Sequence, residues 1–385
     1  MKKILALIMV ALLIFSMAAC AKKNADDDDN SKDDNPLANK NEVTTDIGTF
    51  EYGVNEEGEY EITKYDPKSV AVIDLKLPTA TPDGREIVGI ATGAFKEEGS
   101  SSIKSVTVPE TYKYIGKQAF YDCKELKTVT MANSVTHIYE GAFQSCEKLE
   151  SVTFSKSLAV ISDYAFAECA ALTAVDVSGE TAVIGEAAFF GCSALTSVKL
   201  SDKLTSVNKT SFMECPNLVF TTFDNGKYLG NEKNPHLAFI SVTDLNVESC
   251  VVNDNTKIIA TNALANCSDL REVTLGAAVA YVNGDCFTNS PWIEYVEYEN
   301  ARYLNLGKGE NPAMVMISVI LISADHLTVH ENTAIIADSA LEKCEDISDI
   351  SYAKTAADWN KIAKSDVWNN DMTITIHCSD KKITQ

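Results

Sequence analysis

The chain has 385 residues, of which 45% are hydrophobic, and sets 55 acidic against 33 basic side chains for a net charge of −22. That balance excludes nucleic acid, whose phosphates demand Lys and Arg, and it opposes adsorption onto an anionic lipid surface. It favours solubility and leaves room for a basic partner.

Lys2-Lys3 followed by the apolar stretch Ile4 to Phe15 has the form of a secretory signal, too short to span a bilayer comfortably. Met17-Ala18-Ala19-Cys20 resembles a bacterial lipobox, with Met where Leu is usual. The resemblance implies cleavage and lipid attachment at Cys20; the alternative is an ordinary secretory signal with Cys20 incidental. Each buried acyl methylene would add roughly 0.8 kcal/mol to anchoring. Residues 1–20 are thus the signal and 21–44 an acidic tether, with Asp26-Asp27-Asp28-Asp29 and Asp33-Asp34, too poor in apolar surface to fold. No Asp-x-Asp-x-Asp-Gly loop organises these carboxylates for Ca²⁺.

Residues 45–86 read as an N-terminal cap. Thr49 to Tyr52 and Tyr60 to Tyr65 make a hairpin around Asn55-Glu56-Glu57-Gly58, and Val70 to Leu77 adds a strand. A solenoid of repeats then fills residues 87–352. Its unit is Ile-x-x-x-Ala-Phe-x-x-Cys-x-x-Leu-x-x-Val, restarting every 23 residues at Ile115, Ile138, Ile161, Ile184 and Val207. A fixed period of this length marks stacked units, none of which can bury its apolar face alone. Leu126-x-x-Val129-x-Met131 and its counterparts alternate like short strands, and Ile, Ala and Phe point inward from a helical or irregular turn. Each buried apolar side chain contributes roughly 1.5–3 kcal/mol gross, a sum that must exceed the entropy of ordering the unit.

Further units begin at Ile90, where Gly99 and three serines stretch the repeat, and at Ile259, Val282 and Ile336, giving nine. Two insertions, about 223–255 and 299–332, interrupt them and copy each other. Tyr228-Leu229…Asn234-Pro235…Ile240-Ser241-Val242…Ile258-Ile259 matches Tyr303-Leu304…Asn311-Pro312…Ile317-Ser318-Val319…Ile335-Ile336, with an offset of 77 from Asn234 onward. Their apolar runs imply strands added to the solenoid. Residues 353–385 form a C-terminal cap, with Trp359, Ile362 and Trp368 on a short helix before Thr373 to His377. The fold class expected is α/β, mostly β: about nine repeats, two duplicated insertions and two caps.

The repeat unit, the Asn-Pro insertions and the closing Asp358-Trp359…Trp368…Ile376-His377-Cys378 resemble the BspA-like class of bacterial leucine-rich repeats from about residue 48 to the end. Departures are Leu264 and Leu341 in the Phe slot, and His236 and Ala313 after Asn-Pro. The resemblance implies a right-handed curved solenoid, a horseshoe displayed on a bacterial surface. It also implies an adhesin or interaction protein, some members of the class binding host matrix proteins.

Chemistry is hard to find. Cys123, Cys146, Cys169, Cys192, Cys215, Cys267 and Cys344 share one slot. Stacking at about 4.8 Å allows either a ladder of buried thiols or nearest-neighbour disulfides, and the odd number in the clean run favours the ladder. No Cys-x-x-Cys or clustered His suggests zinc. His326 and His330 are four apart in an extended segment, and no nucleophile elbow or phosphate loop is present. No cofactor, metal or enzymatic activity is expected.

The strand alternation places Thr128, Thr130, Ser151, Thr153, Ala174, Asp176, Ser197 and Lys199 on the exposed face, then Phe220, Thr222, Glu272, Thr274, Tyr295 and Glu297. This later, aromatic and acidic part is the candidate binding face; Phe220 and Tyr295 either serve it or pack beneath the insertions. The expectation is a monomeric, extracellular lipoprotein, membrane-bound through Cys20, whose concave face takes a protein or glycan. The alternative is a cell-envelope scaffold or capture lipoprotein serving a neighbouring enzyme or transporter.

Overall fold

The computed structural model describes residues 42–67, 74–96, 102–306, 313–338, 340–364, 368–369 and 372–385, all within one compact unit, Asn41–Gln385. The signal with Cys20, the tether as far as Asn41, the start of the strand expected from Val70, Gly99 with the two serines after it, and Asn311-Pro312 lie outside these residues.

Three walls are built from one repeat. The Ile slot ends a two-residue strand: Val160–Ile161 lies parallel between His137–Ile138 and Val183–Ile184, Ile opposite Ile. The Leu-x-x-Val segment forms the second wall, with Val106, Val129 and Val152 in register on successive strands. The Ala-Phe turn is the third wall. There the residues two before and two after Phe have positive φ around Phe120 (Gln118 53°, Asp122 60°), Phe166 (Tyr164 56°, Glu168 62°) and the Phe of the turns between and after them as far as Phe189. This alternation aims every second N–H at the next turn: Gln118, Phe120 and Asp122 donate to the carbonyls of Glu140, Ala142 and Gln144 at 2.8–2.9 Å. Left-handed backbone costs a non-glycine residue roughly 1–2 kcal/mol, which these bonds between buried peptides offset.

Because every turn repeats the same slots, like residues stack. Phe95, Phe120, Phe143, Phe166, Phe189 and Phe212 form a column with ring centroids 4.5–5.6 Å apart and planes within 15° of each other, continued toward the N-terminus by Tyr65 and Phe50. The cysteine slot forms a second column. Sγ of Cys146, Cys169, Cys192 and Cys215 donates to the carbonyl of the Phe in the preceding turn at 3.2–3.3 Å. Ser290, in the same slot, makes the equivalent bond to Leu264 O at 2.7 Å. These cysteines are free and buried, so the thiol ladder and not the disulfide reading describes them. Burial pushes the Cys123 thiol up to about 12 and Cys146 and Cys169 well above the ordinary value, keeping them protonated.

The chain makes about thirteen turns, not nine. The additional layers lie in the N-terminal hairpin at Ile62, in the insertions at Phe239 and Met316, and in the C-terminal segment at Ala363. They pair like the Ile slot without carrying the Ala-Phe-x-x-Cys signature, which is why counting the signature passes over them. The insertion layers are partial. Beyond Phe239 the turn at Val207 meets the turn at Ile259 directly, with Thr261 N donating to Val207 O (2.9 Å), and Asp338 N likewise donates to Val282 O (3.1 Å). At this junction buried Asn283 donates to Thr205 O (3.0 Å) and accepts from Val207 N (3.1 Å).

The ends differ in detail from expectation. Glu42–Thr44, assigned to the tether, forms a strand antiparallel to Gly48–Val54, with Val43 packing against the core opposite Phe50. Among the described residues, helix is limited to one α-turn, Ala356–Trp359, and 3₁₀ backbone at Lys209–Phe212 and Ser102. The α-turn stops short of Ile362 and Trp368 because Ala363 joins the sheet, exchanging bonds with Ala334 O and Ile336 N at 2.8–2.9 Å. Trp359 is fully buried, its Nε1 donating to Gln385 Oε1 (3.0 Å), and meets Trp368 edge-on at 5.8 Å.

Phe166→Ala removes a ring from mid-column and is expected to cost about 3–5 kcal/mol, seen as a lower urea midpoint. Phe166→Leu costs less, since Leu264 and Leu341 fill the same slot; equal losses would contradict the stacking account. Cys169→Ser retains the bond that Ser290 makes, whereas Cys169→Ala loses about 1 kcal/mol. In maleimide labelling of the native chain, half-buried Cys378 reacts ahead of every repeat thiol; early modification of Cys146 or Cys169 would refute the buried ladder.

Candidate functional site

Both insertions build the same three-stranded unit. In the first, Thr221–Phe223 turns through Asp224-Asn225 into Gly226–Leu229, which pairs antiparallel with Ala238–Val242. In the second, Val296–Tyr298 turns through Glu299-Asn300 into Ala301–Leu306, which pairs with Ala313–Val319. The first tip residue has positive φ in each, 48° at Asp224 and 49° at Glu299, as a two-residue hairpin requires. The Asn that follows is clamped: Asn225 Nδ2 donates to Ser249 O (2.8 Å), and Asn300 exchanges two bonds with Leu321, at 2.6 and 3.1 Å. Beneath the hairpins, the buried hydroxyls of Tyr228 and Tyr303 accept from Asn253 N (3.2 Å) and His330 N (3.1 Å).

The outer strand of each hairpin has no sheet neighbour on its far side among the described strands. Its side chains are released from the inward-outward alternation, and Val296, Glu297 and Tyr298 are all exposed. Phe223 is the first-copy counterpart of Tyr298, and Leu245 that of Ile322. Ile320, Leu321 and Ile322 stand exposed beside the Asn300 clamp, and Trp292, 58% exposed, lies against the Arg271 guanidinium (5.9 Å).

The predicted face residues divide. Thr222, Glu272 and Glu297 are exposed, Thr274 is half-buried, and Phe220 and Tyr295 are half-buried against the core. Tyr295 meets Phe287 edge-on at 6.4 Å and lies under Arg302 (5.7 Å); burial pushes its hydroxyl up to about 12. Arg302 also pairs with Glu297 at 3.2 Å, so the structure joins Tyr295 to Glu297 through one guanidinium. Glu272 and Thr274 lie on the strand preceding them, where Glu294 N donates to Arg271 O (2.9 Å). Phe220 and Thr222 belong to the first hairpin unit and the rest surround the second. The alternation missed Phe223, Trp292, Val296, Tyr298 and Ile320–Ile322. The available signal was the duplication itself, which puts an aromatic before both hairpin tips.

Between the turns of Phe287 and Leu341 lies a cleft of about 190 Å³ touching Tyr295, Ile317, Val319 and Ile322, small beside the 300–1,000 Å³ of ordinary ligand pockets. Among the described residues no group of three His, Cys, Asp or Glu side chains could hold a metal. No helix among them is long and apolar enough to cross a membrane. What the hairpin units offer is contact area: exposed rings and aliphatic side chains set among carboxylates and two arginines.

The sequence profile of the BspA type leucine rich repeat region matches six copies, over residues 89–219 and 238–308. No curated protein matches the chain. Among solved structures, the chain is similar to a leucine rich cell surface protein from Faecalibacterium prausnitzii A2-165 (21% identity, 86% of this chain and 98% of that one, TM-score 0.39). It is also similar to leucine-rich repeat proteins from Bacteroides ovatus ATCC 8483 (18% identity, 84% and 66%, TM-score 0.38) and T. pallidum (22% identity, 63% and 88%, TM-score 0.36). With the matched segments spanning more than half of its residues, the chain belongs to the BspA-type leucine-rich repeat family.

Proposed function

We propose that this protein is a nonenzymatic binding protein of the bacterial cell surface, lipid-anchored through Cys20, that holds an extracellular protein or glycan against its two hairpin units. The observation that carries the reading is where apolar side chains meet solvent. Apart from Val54 and Tyr164, every large exposed hydrophobic among the described residues lies between Met213 and Ile322, in or beside the insertions. Contiguous exposed apolar groups rimmed by charge mark interaction surfaces, and aromatics with Arg are the side chains that dominate them. Scattered exposure would need no explanation; the same exposure in both copies of a duplicated unit does. The family's characteristic setting at the cell surface supports the location, and the lipobox-like Met17-Ala18-Ala19-Cys20 supports the anchor.

The test is a biolayer interferometry screen of the mature chain against matrix proteins, mucins and glycans. A specific partner should bind at least tenfold more weakly to Trp292→Ala and Tyr298→Ala, a loss of about 1.4 kcal/mol or more, with the thermal midpoint unchanged. No partner across the panel would turn the search to the cell's own envelope proteins. Cys20→Ala should leave the membrane fraction in the native host; retention there would refute the lipid anchor.

A further inference from the structure

On the outer face of the first wall, Glu61, Gly89, Tyr114 and His137 stand opposite one another on successive strands. A Cβ at Gly89 would lie 2.2–2.6 Å from the Tyr114 ring, so only glycine lets that ring lie across the backbone. Tyr114 thereby reaches past one strand, and its hydroxyl donates to Glu61 Oε2 at 2.7 Å while accepting from Asn55 Nδ2 at 3.1 Å. Tyr139 meets Tyr114 edge-on (6.0 Å, 71°) and stacks on His137 (5.9 Å, 19°). The side chains of Glu61, Tyr114, His137 and Tyr139 are half-buried, and the turn carrying Asn55 to Gly58 stands at their border.

The electrostatics of this floor are unbalanced. Burial raises the Glu61 pKa, the Tyr114 hydrogen bond only partly opposes it, and exposed Glu57 in the adjacent turn raises it further. Neighbouring cations are engaged elsewhere: Lys113 pairs with Glu59 at 2.5 Å, and Arg85 pairs with Asp83 at 3.0 Å and lies over Tyr60. Burial lowers the His137 pKa, which keeps the ring neutral at pH 7. The floor therefore combines aromatic faces with two carboxylates that repel each other.

We propose that Tyr114, His137 and Tyr139, with Glu61 and Glu57, form a binding site for an organic cation, the ammonium or guanidinium group of a basic side chain on a partner. A cation over the rings is attracted by their quadrupoles and relieves the repulsion between the carboxylates. Its pairing with Glu61 is strengthened because that carboxylate is already partly desolvated. A neutral sugar could stack on the rings but would leave the charge imbalance in place. The site uses the Ile-slot strands of the N-terminal turns and no residue of the hairpin units, and it stands independently of the function proposed above.

Saturation-transfer NMR on the mature chain tests this with N-acetyl-lysine methylamide and N-acetyl-arginine methylamide as probes and N-acetylglucosamine as the neutral comparison. Both cationic probes should receive saturation, more weakly as salt is raised, and N-acetylglucosamine should not. Glu61→Gln should weaken the cationic probes at least about tenfold while leaving the thermal midpoint unchanged or higher, since it removes a partly desolvated charge that Glu57 repels. That opposed pair of effects is one a merely structural Glu61 would not produce. Tyr139→Ala should weaken both probes as well. Absence of saturation, unchanged affinity in folded Glu61→Gln, or preference for N-acetylglucosamine would overturn the proposal.

Discussion

One hydrogen-bond spacing per turn is the constraint from which the rest of this structure follows. Two strand walls and the alternating-handed turn must climb at the same pitch, because each is hydrogen-bonded through its backbone to the adjacent turns. Strand ladders fix that pitch near 4.8 Å. Anything in a slot then sits on its own copy at that distance, and the slot must be filled by a group that tolerates self-stacking. Phenylalanine does, at 4.5–5.6 Å between centroids. The cysteine slot needs a small group able to donate to a carbonyl that already accepts from the Cys backbone within its own turn, as Phe143 O accepts from Cys146 N at 3.3 Å. A thiol meets that need, and so does the Ser290 hydroxyl.

The same constraint decides what is legible in the sequence. Slots that face the core are spelled out, so the repeats, their register and the burial of Ile, Ala, Phe, Cys, Leu and Val follow from the order of residues alone. The layers at Ile62, Phe239, Met316 and Ala363 cannot be counted that way. They satisfy the backbone ladder, which any residue but proline can do, without filling the Phe and Cys slots. Apolar character gives a correct expectation for the burial of Trp359 and too long a helix after it, since pairing of Ala363 with Ala334 and Ile336 competes with the next helical turn.

The face residues show where such reading ends. Thr128 and Thr130 point outward as the alternation requires because their strand has a partner on either side. Tyr295 does not, because the chain leaves the ladder at the hairpin. Its ring turns toward Phe287 while Val296, inward by alternation, is exposed. Departure from the ladder relaxes the alternation and frees side chains for solvent in the same residues. Exposed apolar groups therefore gather at the insertions for a structural reason, and that a second copy keeps an aromatic before the tip is the part the ladder does not require.

Away from the slots the ladder places few demands. Lys117–Glu140, Lys127–Glu150 and Lys148–Glu125 bridge consecutive turns at 2.5–3.0 Å, yet solvent screening leaves such exposed pairs little weight in stability. Surface side chains can thus change at little cost to the fold, and those that work against it call for another explanation. Glu61 is such a residue. It sits opposite a glycine in the ladder, holds a charge that burial and Glu57 both oppose, and is partnered by a hydroxyl and by no cation among the ion pairs of the described residues. A glutamine there would keep the Tyr114 bond without the charge. Stability alone does not select a carboxylate at that position, whereas recognition of a positive group does.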